Sequence, residues 1–554
     1  MGSAILGPLP FIHMTSLREL PAAPSASTLI SCGNQRYVHL GIVIVCALIT
    51  RIAYLYSPAG RIGDGDEAIF GLMAQQIASL AEFPIYCWGA QYAGAFVSYA
   101  AAPLFVLFGS SFVVLRLPML LMATIASSLY YLFLERLAGP TLALVGSLVL
   151  AVAPMIVVHY TMAAYGGYGE TILGITLLLF LAQRAEADSK DGRTGAWPWL
   201  LGLTSGFFFY TLFLILPAVL AFAVPPLLAV AANRRRRIFE FLAGTLVGLS
   251  PLIIHNILEP GGTIFRAVGR SLSVGRTDLQ TPYGELVWHV VIQKATYWYD
   301  WLLAAPRLFG EFVVSGRGAD HIGPMAGAAL IVFLLVFVIR SLARSQGLTP
   351  ETLQYRRCAL FLVFLIGFQW IANLDRARHL LPLILVIPVA AFALANSRRA
   401  WQRSAVAGLL LFVAVQVPGL LLGFQRKGFD PAPTVSHLET IGVREFYGSY
   451  HTTYPIAFVA ADRIVGAPLL PPGTRLVVDR RPQYTQRVTE SPSPAFIFAR
   501  NEAMAEELFR TFLRDNHISF RRSADESAAV YFGFSRRVAM EVSPDGTRFV
   551  LRER

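Results

Sequence analysis

The chain has 554 residues, of which 55% are hydrophobic and 14% are charged, and its formal net charge is +12. A soluble protein of this length would carry about 25% charged residues, so the composition excludes an ordinary set of soluble domains. Apolar runs of about 20 residues, which cross a hydrocarbon core of roughly 30 Å, recur along the chain and predict a polytopic membrane protein. Arginines stand between these runs, as Arg234 to Arg237 do. This is the pattern of cytoplasmic loops, so no nucleic-acid partner is expected.

Eleven membrane spans are predicted from the apolar runs. They lie at 38–56, 112–134, 141–158, 170–183, 199–215, 217–232, 238–256, 325–341, 358–373, 379–396 and 404–423. The basic residues fall in alternate loops, which the positive-inside rule assigns to the cytoplasm. We therefore expect a multi-pass protein of the plasma (inner) membrane, with its N-terminus in the cytoplasm and its C-terminus periplasmic or extracellular.

This topology divides the chain into three parts. Residues 1–37 are expected to form a cytoplasmic segment, 38–423 a transmembrane domain, and 424–554 a soluble extracytoplasmic domain. Two large loops of the transmembrane domain, 57–111 and 257–324, also face outward. The predicted fold class is mainly α: a polytopic transmembrane helical bundle followed by a small α/β domain.

The first outer loop carries an acidic cluster, Gly63-Asp64-Gly65-Asp66-Glu67. Three carboxylates within four residues stand out in a chain with so few charges. They can remove a proton from a hydroxyl, hold a divalent cation or bind another cation, whereas a plain solvated loop would do none of these. Asp66 and Glu67 also suit a helix N-terminus, where negative charge is stabilised by about 0.3–1 kcal/mol. Apolar residues with helical spacing follow, from Ile69 to Leu80.

The predicted loop between the third and fourth spans is rich in glycine and tyrosine and contains His159, Tyr165, Tyr168 and Glu170. Its glycines allow the backbone to approach a ligand closely. Glu170 begins the fourth span, so a charge at a helix start is the alternative to a functional role. His159 could equally be a packed interfacial histidine, and with no second histidine nearby no metal motif is predicted.

Two further outer positions carry polar side chains. Asn256, beside His255 at the end of the seventh span, could bind a substrate or cap its helix. Arg376 and Arg378, within the stretch 373–379, lie on the outer side against the positive-inside trend. They indicate an anionic partner such as a phosphate, which arginine binds with two hydrogen bonds. The alternative is that they reach toward lipid headgroups.

The tail differs in character from the rest of the chain. Strand-like runs extend from Arg475 to Val478, from Ala495 to Phe498 and from Ala528 to Phe532, and a helix is predicted over Glu502 to Asp515. This mixture, within a segment of ordinary domain size, predicts a small α/β domain.

Taken in order, these motifs resemble those of the GT-C membrane glycosyltransferases, in particular the family of the protein O-mannosyltransferases and the lipid A aminoarabinose transferase. The resemblance rests on Gly65-Asp66-Glu67-Ala68 after the first span and Leu115-Arg116-Leu117-Pro118 before the second. It also rests on the loop that ends in Glu170 and on Arg378-His379-Leu380-Leu381-Pro382-Leu383. It covers roughly residues 38–423.

The resemblance implies a polyprenyl-phosphate-linked sugar donor and an acceptor hydroxyl on a lipid, a glycan or a protein. It implies that Asp66 is the key aspartate of the first loop and that Glu67 is its acidic neighbour. Glu170 stands where relatives usually carry an aspartate, so Asp66, Glu67 and Glu170 are the predicted catalytic residues. Chemically, Asp66 can act as general base in an inverting attack, and Arg378 with Arg376 can stabilise the leaving phosphate.

The remaining candidates are expected to bind substrate: Asp64, Tyr165, Tyr168, His159 and Asn256. Membrane lipids are further expected partners. No cofactor is expected, although the outer carboxylates could hold a divalent cation. The alternative function is a transporter or flippase of lipid-linked sugars, which would need charged residues inside the bilayer. The predicted spans contain almost no acidic residues in their inner stretches, which favours the enzyme.

Overall fold

A computed structural model describes residues 26–190, 195–228, 234–259, 283–313, 319–343, 349–372, 374, 376–395, 399–469, 479–543 and 546–552. Within these residues the chain is mainly helical, as the sequence predicts. The α-helices before residue 425 are Ala26–Tyr56, Gly65–Ala78, Phe96–Phe108, Phe112–Leu115, Leu117–Ala138, Pro140–Ala151, Met155–Met162, Tyr168–Lys190, Trp197–Thr211, Leu216–Ala218, Val224–Leu228, Arg234–Gly248, Ser250–Leu258, Tyr283–Gly310, Ala319–Ala343, Pro350–Ala372, Leu383–Ala395 and Arg399–Phe424.

Five helical stretches are long and apolar enough to cross a membrane, so the chain is an integral membrane protein. They are Gln35–Tyr56, Phe112–Ala138, His321–Ala343, Pro350–Ala372 and Ala400–Phe424. Two bent pairs would raise the number to seven: Pro140–Ala151 with Met155–Met162, bent by 70°, and Arg234–Gly248 with Ser250–Leu258, bent by 55°. Pro154 and Pro251 stand at the two breaks, where proline interrupts the helical hydrogen bonds.

The predicted number of eleven spans is therefore not confirmed. The other predicted segments contain helices, but these are too short, too broken or too polar. Leu383–Ala395 has 13 residues and extends about 20 Å, which is less than the roughly 30 Å of a hydrocarbon core. The segment Phe213–Leu228 is interrupted by a 3-10 turn and a π-helical turn, and Tyr168–Lys190 ends in charged residues.

The C-terminal part is an α/β domain, and its predicted strands at 495 and 528 and its helix near 503 are confirmed. The order of strands in the five-stranded sheet is Val465–Leu469, Glu445–Ser449, Ala495–Ala499, Ala528–Phe532, Arg521–Ala524. The helices of this part are Pro431–Ile441, Tyr450–Val459, Pro482–Glu490 and Ala503–Asp515, and a separate hairpin pairs Arg537–Ser543 with Gly546–Arg552. The predicted run from Arg475 to Val478 lies outside the described residues.

The central strand Ala495–Ala499 is buried along its whole length. Its sequence is apolar at every position, because a strand covered on both faces does not need to alternate with polar residues. The first two strands of the sheet are parallel to it, and the last two continue the sheet in antiparallel fashion.

The first loop packs against the C-terminal domain. Its helix Gly65–Ala78, which we call the carboxylate helix, contacts Tyr450–Val459 closely. A Cβ at Gly65 would lie 2.6 Å from the Tyr450 ring, and one at Gly71 would lie 2.6 Å from the Phe458 ring. Only glycine permits this approach at both positions. The apolar side chains of the carboxylate helix are accordingly buried.

A short hairpin completes the first loop. Its strands are Tyr86–Cys87 and Ala90–Gly94, and helix Phe96–Phe108 follows. The last residues of that helix, such as Leu107 and Phe108, are exposed. An apolar helix end of this kind suits the boundary between lipid and water.

Candidate active site

Asp66 stands in the first turn of the carboxylate helix. Asp64 caps this helix, since its Oδ1 accepts a hydrogen bond of 2.9 Å from the N–H of Asp66. The hydroxyl of Tyr450, from the C-terminal domain, donates to Oδ1 of Asp66 at 2.6 Å. Among the described residues, none hydrogen-bonds to the other oxygen, Oδ2, and the side chain is half-buried. One carboxylate oxygen is thus held while the other can accept a proton.

Asp64 makes a second contact with the C-terminal domain. Its Oδ2 lies 3.4 Å from Nδ1 of His451, and the N–H of Gly65 is 3.3 Å from the same nitrogen. Burial alone would raise the pKa of Asp64, but His451 and the N–H of Asp66 bring that pKa below its usual value. In turn, the hydrogen bond to Asp64 raises the pKa of His451.

We expect the Asp64–His451 contact to be strongest in mildly acidic solution. The pKa of His451 is raised, so its stabilisation is complete below pH 6.5 and is lost as the pH rises through the folded-state pKa. The pKa of Asp64 is lowered, so its stabilisation is present above pH 3.8 and is lost as the pH falls through the folded-state pKa. Because the imidazole is 63% exposed, the effect should not exceed about 1 kcal/mol.

Thermal unfolding of the wild type and of His451→Gln at about pH 5.5 and about pH 8.5 measures this effect. The wild type should be the more stable protein at the lower pH, and the difference should shrink at the higher pH. His517→Gln, at an exposed histidine, is the matched control. A difference between wild type and His451→Gln that is the same at both pH values would contradict the assignment.

Glu67 has a different environment from its two acidic neighbours. It forms a buried ion pair with Arg116, in which Nε donates to Oε1 at 2.7 Å and Nη2 to Oε2 at 2.5 Å. The side chains are only 1% and 2% exposed. The N–H of Ala164 also donates to Oε1 of Glu67 at 2.9 Å, and Arg116 donates to the carbonyls of Gly60 and Ile62. Glu67 therefore joins three chain segments and is not open to a substrate.

His159 links the first span to the glycine-tyrosine loop. Its Nδ1 lies 2.8 Å from the hydroxyl of Tyr54, and its Nε2 lies 3.3 Å from the hydroxyl of Tyr165. The rings of Tyr165 and Tyr168 both contact Tyr160, each with centroids 5.5 Å apart. Burial, followed by the charges of Asp64 and Glu67, raises the pKa of Tyr165. These tyrosines consequently form a wall beside the acidic cluster.

Glu170 turns back onto the start of its own helix. Its Oε2 accepts a hydrogen bond of 2.9 Å from the N–H of Gly167, and its side chain is fully buried. Gly166 and Gly167 have φ angles of +61° and +104°, which residues other than glycine rarely adopt. The Oε1 of Glu170 has no hydrogen-bond partner within the described residues. This geometry matches the helix-start alternative that the sequence left open.

Arg378 approaches the tyrosine wall from the turn after helix Pro350–Ala372. Its guanidinium carbon lies 5.8 Å from the ring centroid of Tyr168, and its buried Nε has no partner among the residues described. Burial would lower the pKa of Arg378, but Tyr168, Tyr160 and the charge of Asp66 together raise it. The negative charge of Asp66 is thus close enough to act on Arg378.

The other predicted residues lie further from this centre. Arg376 is exposed, and Asn373 and Asp375 in the same stretch lie outside the described residues. Asn256 donates from Nδ2 to the carbonyl of Leu252 in its own helix at 2.8 Å. No group of three or more His, Cys, Asp or Glu side chains arranged to hold a metal ion occurs in the described part of the chain.

Sequence reasoning missed the contribution of the C-terminal domain. The Nε of Arg480 lies 3.4 Å from the hydroxyl of Tyr450, and the charge of Asp66 acts on Arg480. Arg481 forms two hydrogen bonds with Glu82, of 2.8 and 2.7 Å, and its guanidinium stacks 4.2 Å from the Trp88 ring. Arg480 and Arg481 carry no local motif. The bond from Tyr450 to Asp66 joins positions 384 residues apart.

The fold and the site together define a class of protein. It is an integral membrane protein with a polar centre where its helical part meets a small α/β domain. The centre contains a carboxylate with one open oxygen, a partly buried arginine and a wall of tyrosines.

No protein-family model and no curated protein matches the chain. Among solved structures it is similar to ArnT from Cupriavidus metallidurans bound to undecaprenyl phosphate, with 12% identity and a TM-score of 0.47 over 92% of this chain and 98% of that chain. It is also similar to the archaeal oligosaccharyltransferase AglB from Archaeoglobus fulgidus in complex with an inhibitory peptide and a dolichol-phosphate, with 13% identity and a TM-score of 0.47 over 84% of this chain and 69% of that chain. Both are GT-C proteins, the class that the sequence motifs resemble.

Proposed function

We propose that the protein is a membrane glycosyltransferase that moves a sugar from a polyprenyl-phosphate-linked donor to an acceptor hydroxyl on the outer face of the membrane. The observation that supports this most directly is the open Oδ2 of Asp66, held within electrostatic reach of Arg378. Transfer from a lipid phosphate needs a base for the hydroxyl and a cation for the leaving phosphate. These two side chains supply both groups.

In the proposed step, Asp66 is the general base. Its Oδ2 takes the proton of the acceptor hydroxyl, and the hydroxyl oxygen attacks the anomeric carbon from the side opposite the phosphate. The bond from that carbon to the phosphate oxygen breaks, and the electron pair leaves with the lipid phosphate. The product sugar has inverted configuration. A positioned base of this kind contributes about 10²–10⁴-fold to the rate.

Arg378 is the proposed ligand of the donor phosphate. Its guanidinium can form charge-assisted hydrogen bonds with phosphate oxygens, which become stronger as negative charge develops on the leaving group. The buried Nε of Arg378 without a described partner favours this role, and the exposed Arg376 can add charge nearby. The donor would belong to the same lipid class as the undecaprenyl phosphate of the ArnT structure.

The other candidate residues take supporting roles in this proposal. Glu67 and Glu170 hold the backbone of the two loops, as their hydrogen bonds indicate. Asp64 begins the carboxylate helix. Tyr165 and Tyr168, with His159 behind Tyr165, would line the space for the sugar, and Asn256 stays a candidate for contact with a more distant part of the substrate.

The proposed orientation and domain division rest on the basic loops, which the positive-inside rule assigns to the cytoplasm. Residues 1–37 would lie in the cytoplasm. Residues 38–423 would form the catalytic domain in the plasma (inner) membrane. Residues 424–554 would form a soluble domain on its outer side, in the periplasm or outside the cell. The acceptor could be a lipid, a glycan or a protein, and each carries a hydroxyl that the proposed base can activate.

A transfer assay distinguishes this function from the transport alternative. Purified protein in detergent is incubated with a panel of polyprenyl-phosphate-linked sugars and candidate acceptors, and cleavage of the sugar–phosphate bond is measured. An enzyme should cleave the bond without any membrane compartment. Movement of intact lipid-linked sugar across vesicles, with no cleavage under any condition, would support a flippase and contradict the proposal.

Arg378→Ala is expected to weaken the binding of undecaprenyl phosphate by about 10–100-fold. The reason is that a hydrogen bond to a charged group contributes about 1.5–3 kcal/mol. Binding of the lipid to purified protein in detergent measures the effect directly. Arg510→Ala, at an exposed arginine that pairs with Glu507, is the matched control and should bind normally. Equal affinity in Arg378→Ala and wild type would remove Arg378 from the phosphate site.

A further inference from the structure

The C-terminal domain contacts the acidic cluster through a short chain of hydrogen bonds. Arg480 lies beside the hydroxyl of Tyr450, and that hydroxyl donates to Asp66 at 2.6 Å. The main-chain N–H of Arg480 also donates to the hydroxyl of Tyr454 at 2.7 Å. Arg480 and Tyr450 therefore have fixed positions relative to each other.

The chemistry of these groups sets the direction of each hydrogen bond. A guanidinium has donors and no acceptor, so the oxygen of Tyr450 must accept from Nε of Arg480. The single phenolic proton then points toward Asp66. Burial, followed by the charge of Asp66, raises the pKa of Tyr450, which keeps this proton in place.

The ring of Tyr450 is itself firmly held. It packs against Gly65, where a Cβ would lie only 2.6 Å from the ring, and its centroid lies 5.1 Å from that of Tyr454. A fixed donor on one oxygen restricts rotation of the Asp66 carboxylate. Its other oxygen then keeps one direction.

We infer that Tyr450 is a positioning residue for Asp66 and that Arg480 acts through Tyr450, so that the C-terminal domain completes the catalytic centre. This inference rests on the proposed role of Asp66 as general base. It assigns to the domain a function beyond covering the site. The orientation of the base depends on residues that follow the last membrane helix.

Tyr450→Phe tests the inference, because it removes the hydroxyl and keeps the ring that packs on Gly65. We expect kcat for sugar transfer to fall about 10-fold or more, as for the loss of a charge-assisted hydrogen bond. The KM for the donor and the affinity for undecaprenyl phosphate should not change. Tyr531→Phe is the matched control, since it removes a hydroxyl that contacts Glu506 in the same domain.

A double-mutant cycle separates the role of Arg480 from direct substrate binding. Arg480→Met should lower kcat in the wild type and have little further effect in Tyr450→Phe. Additive effects accompanied by a raised KM would show that Arg480 contacts substrate itself and would overturn its assigned role. We expect all variants to melt close to the temperature of the wild type. A Tyr450→Phe protein that has lost its fold would contradict the claim that only the hydroxyl matters.

The same assays distinguish failure of the inference from failure of the proposed function. If Asp66→Asn is inactive while Tyr450→Phe has the wild-type kcat, only the positioning role is wrong. If Asp66→Asn transfers sugar at the wild-type rate, the base assignment fails, and the positioning role fails with it.

Discussion

Sugar transfer is expected to fall by about 10²–10⁴-fold in Asp66→Asn, which is the contribution of a positioned general base. The asparagine amide has nearly the same size, and its oxygen can still accept the hydrogen bond from Tyr450. It cannot take a proton from an acceptor hydroxyl. The carboxylate helix should form normally, since Asp64 still caps it, and the binding of undecaprenyl phosphate should not weaken.

Two further substitutions make the Asp66 result specific. Asp515→Asn is the same chemical change at an exposed position of the C-terminal domain, and it should transfer sugar at the wild-type rate. Asp64→Asn keeps a good helix cap and should retain most of the activity, because Asp64 contacts His451 and its own helix. If Asp64→Asn were the inactive variant and Asp66→Asn the active one, the base would have to be reassigned to Asp64.

The helical character of the chain could be predicted because it depends on local composition. Long apolar runs with arginines between them are visible in the sequence, and so are the strands around Ala495 and Ala528. The number of spans could not be read in the same way. A run such as Leu383–Ala395 is apolar enough for a membrane and is nevertheless too short to cross one, because helix length depends on where the tertiary structure ends the helix.

The site shows the same division between local and distant information. The acidic cluster, the tyrosine loop and Arg378 were found because each is an unusual local pattern near the end of a predicted span. Tyr450 and Arg480 have no such pattern, and they meet Asp66 only through the packing of a domain that begins after the last span. The sequence placed Asp66 first among the three carboxylates, but their different burial could not be predicted, because it depends on contacts with Arg116, His451 and Tyr450.

The buried pair of Glu67 and Arg116 is expected to dominate the stability of this region. A charge left without its partner in a buried site costs about 3–5 kcal/mol, and here both side chains are almost completely inaccessible. Arg116→Met should therefore lower the free energy of unfolding by about that amount, because Glu67 is left buried without its positive partner. Arg116→Met also removes the donors to the carbonyls of Gly60 and Ile62. The backbone that leads into the acidic cluster should therefore be held less firmly.

A second variant shows whether the unpaired charge causes this loss. Glu67→Gln combined with Arg116→Met removes both charges and keeps an oxygen that can accept from the N–H of Ala164. The double variant should be more stable than Arg116→Met alone, as judged by melting temperature and by the monodisperse fraction in detergent. If the two proteins were equally unstable, the lost contacts of Arg116 with the backbone would be the cause. In that case Arg116 would matter because its hydrogen bonds hold the shape of the first loop, and not because its charge balances that of Glu67.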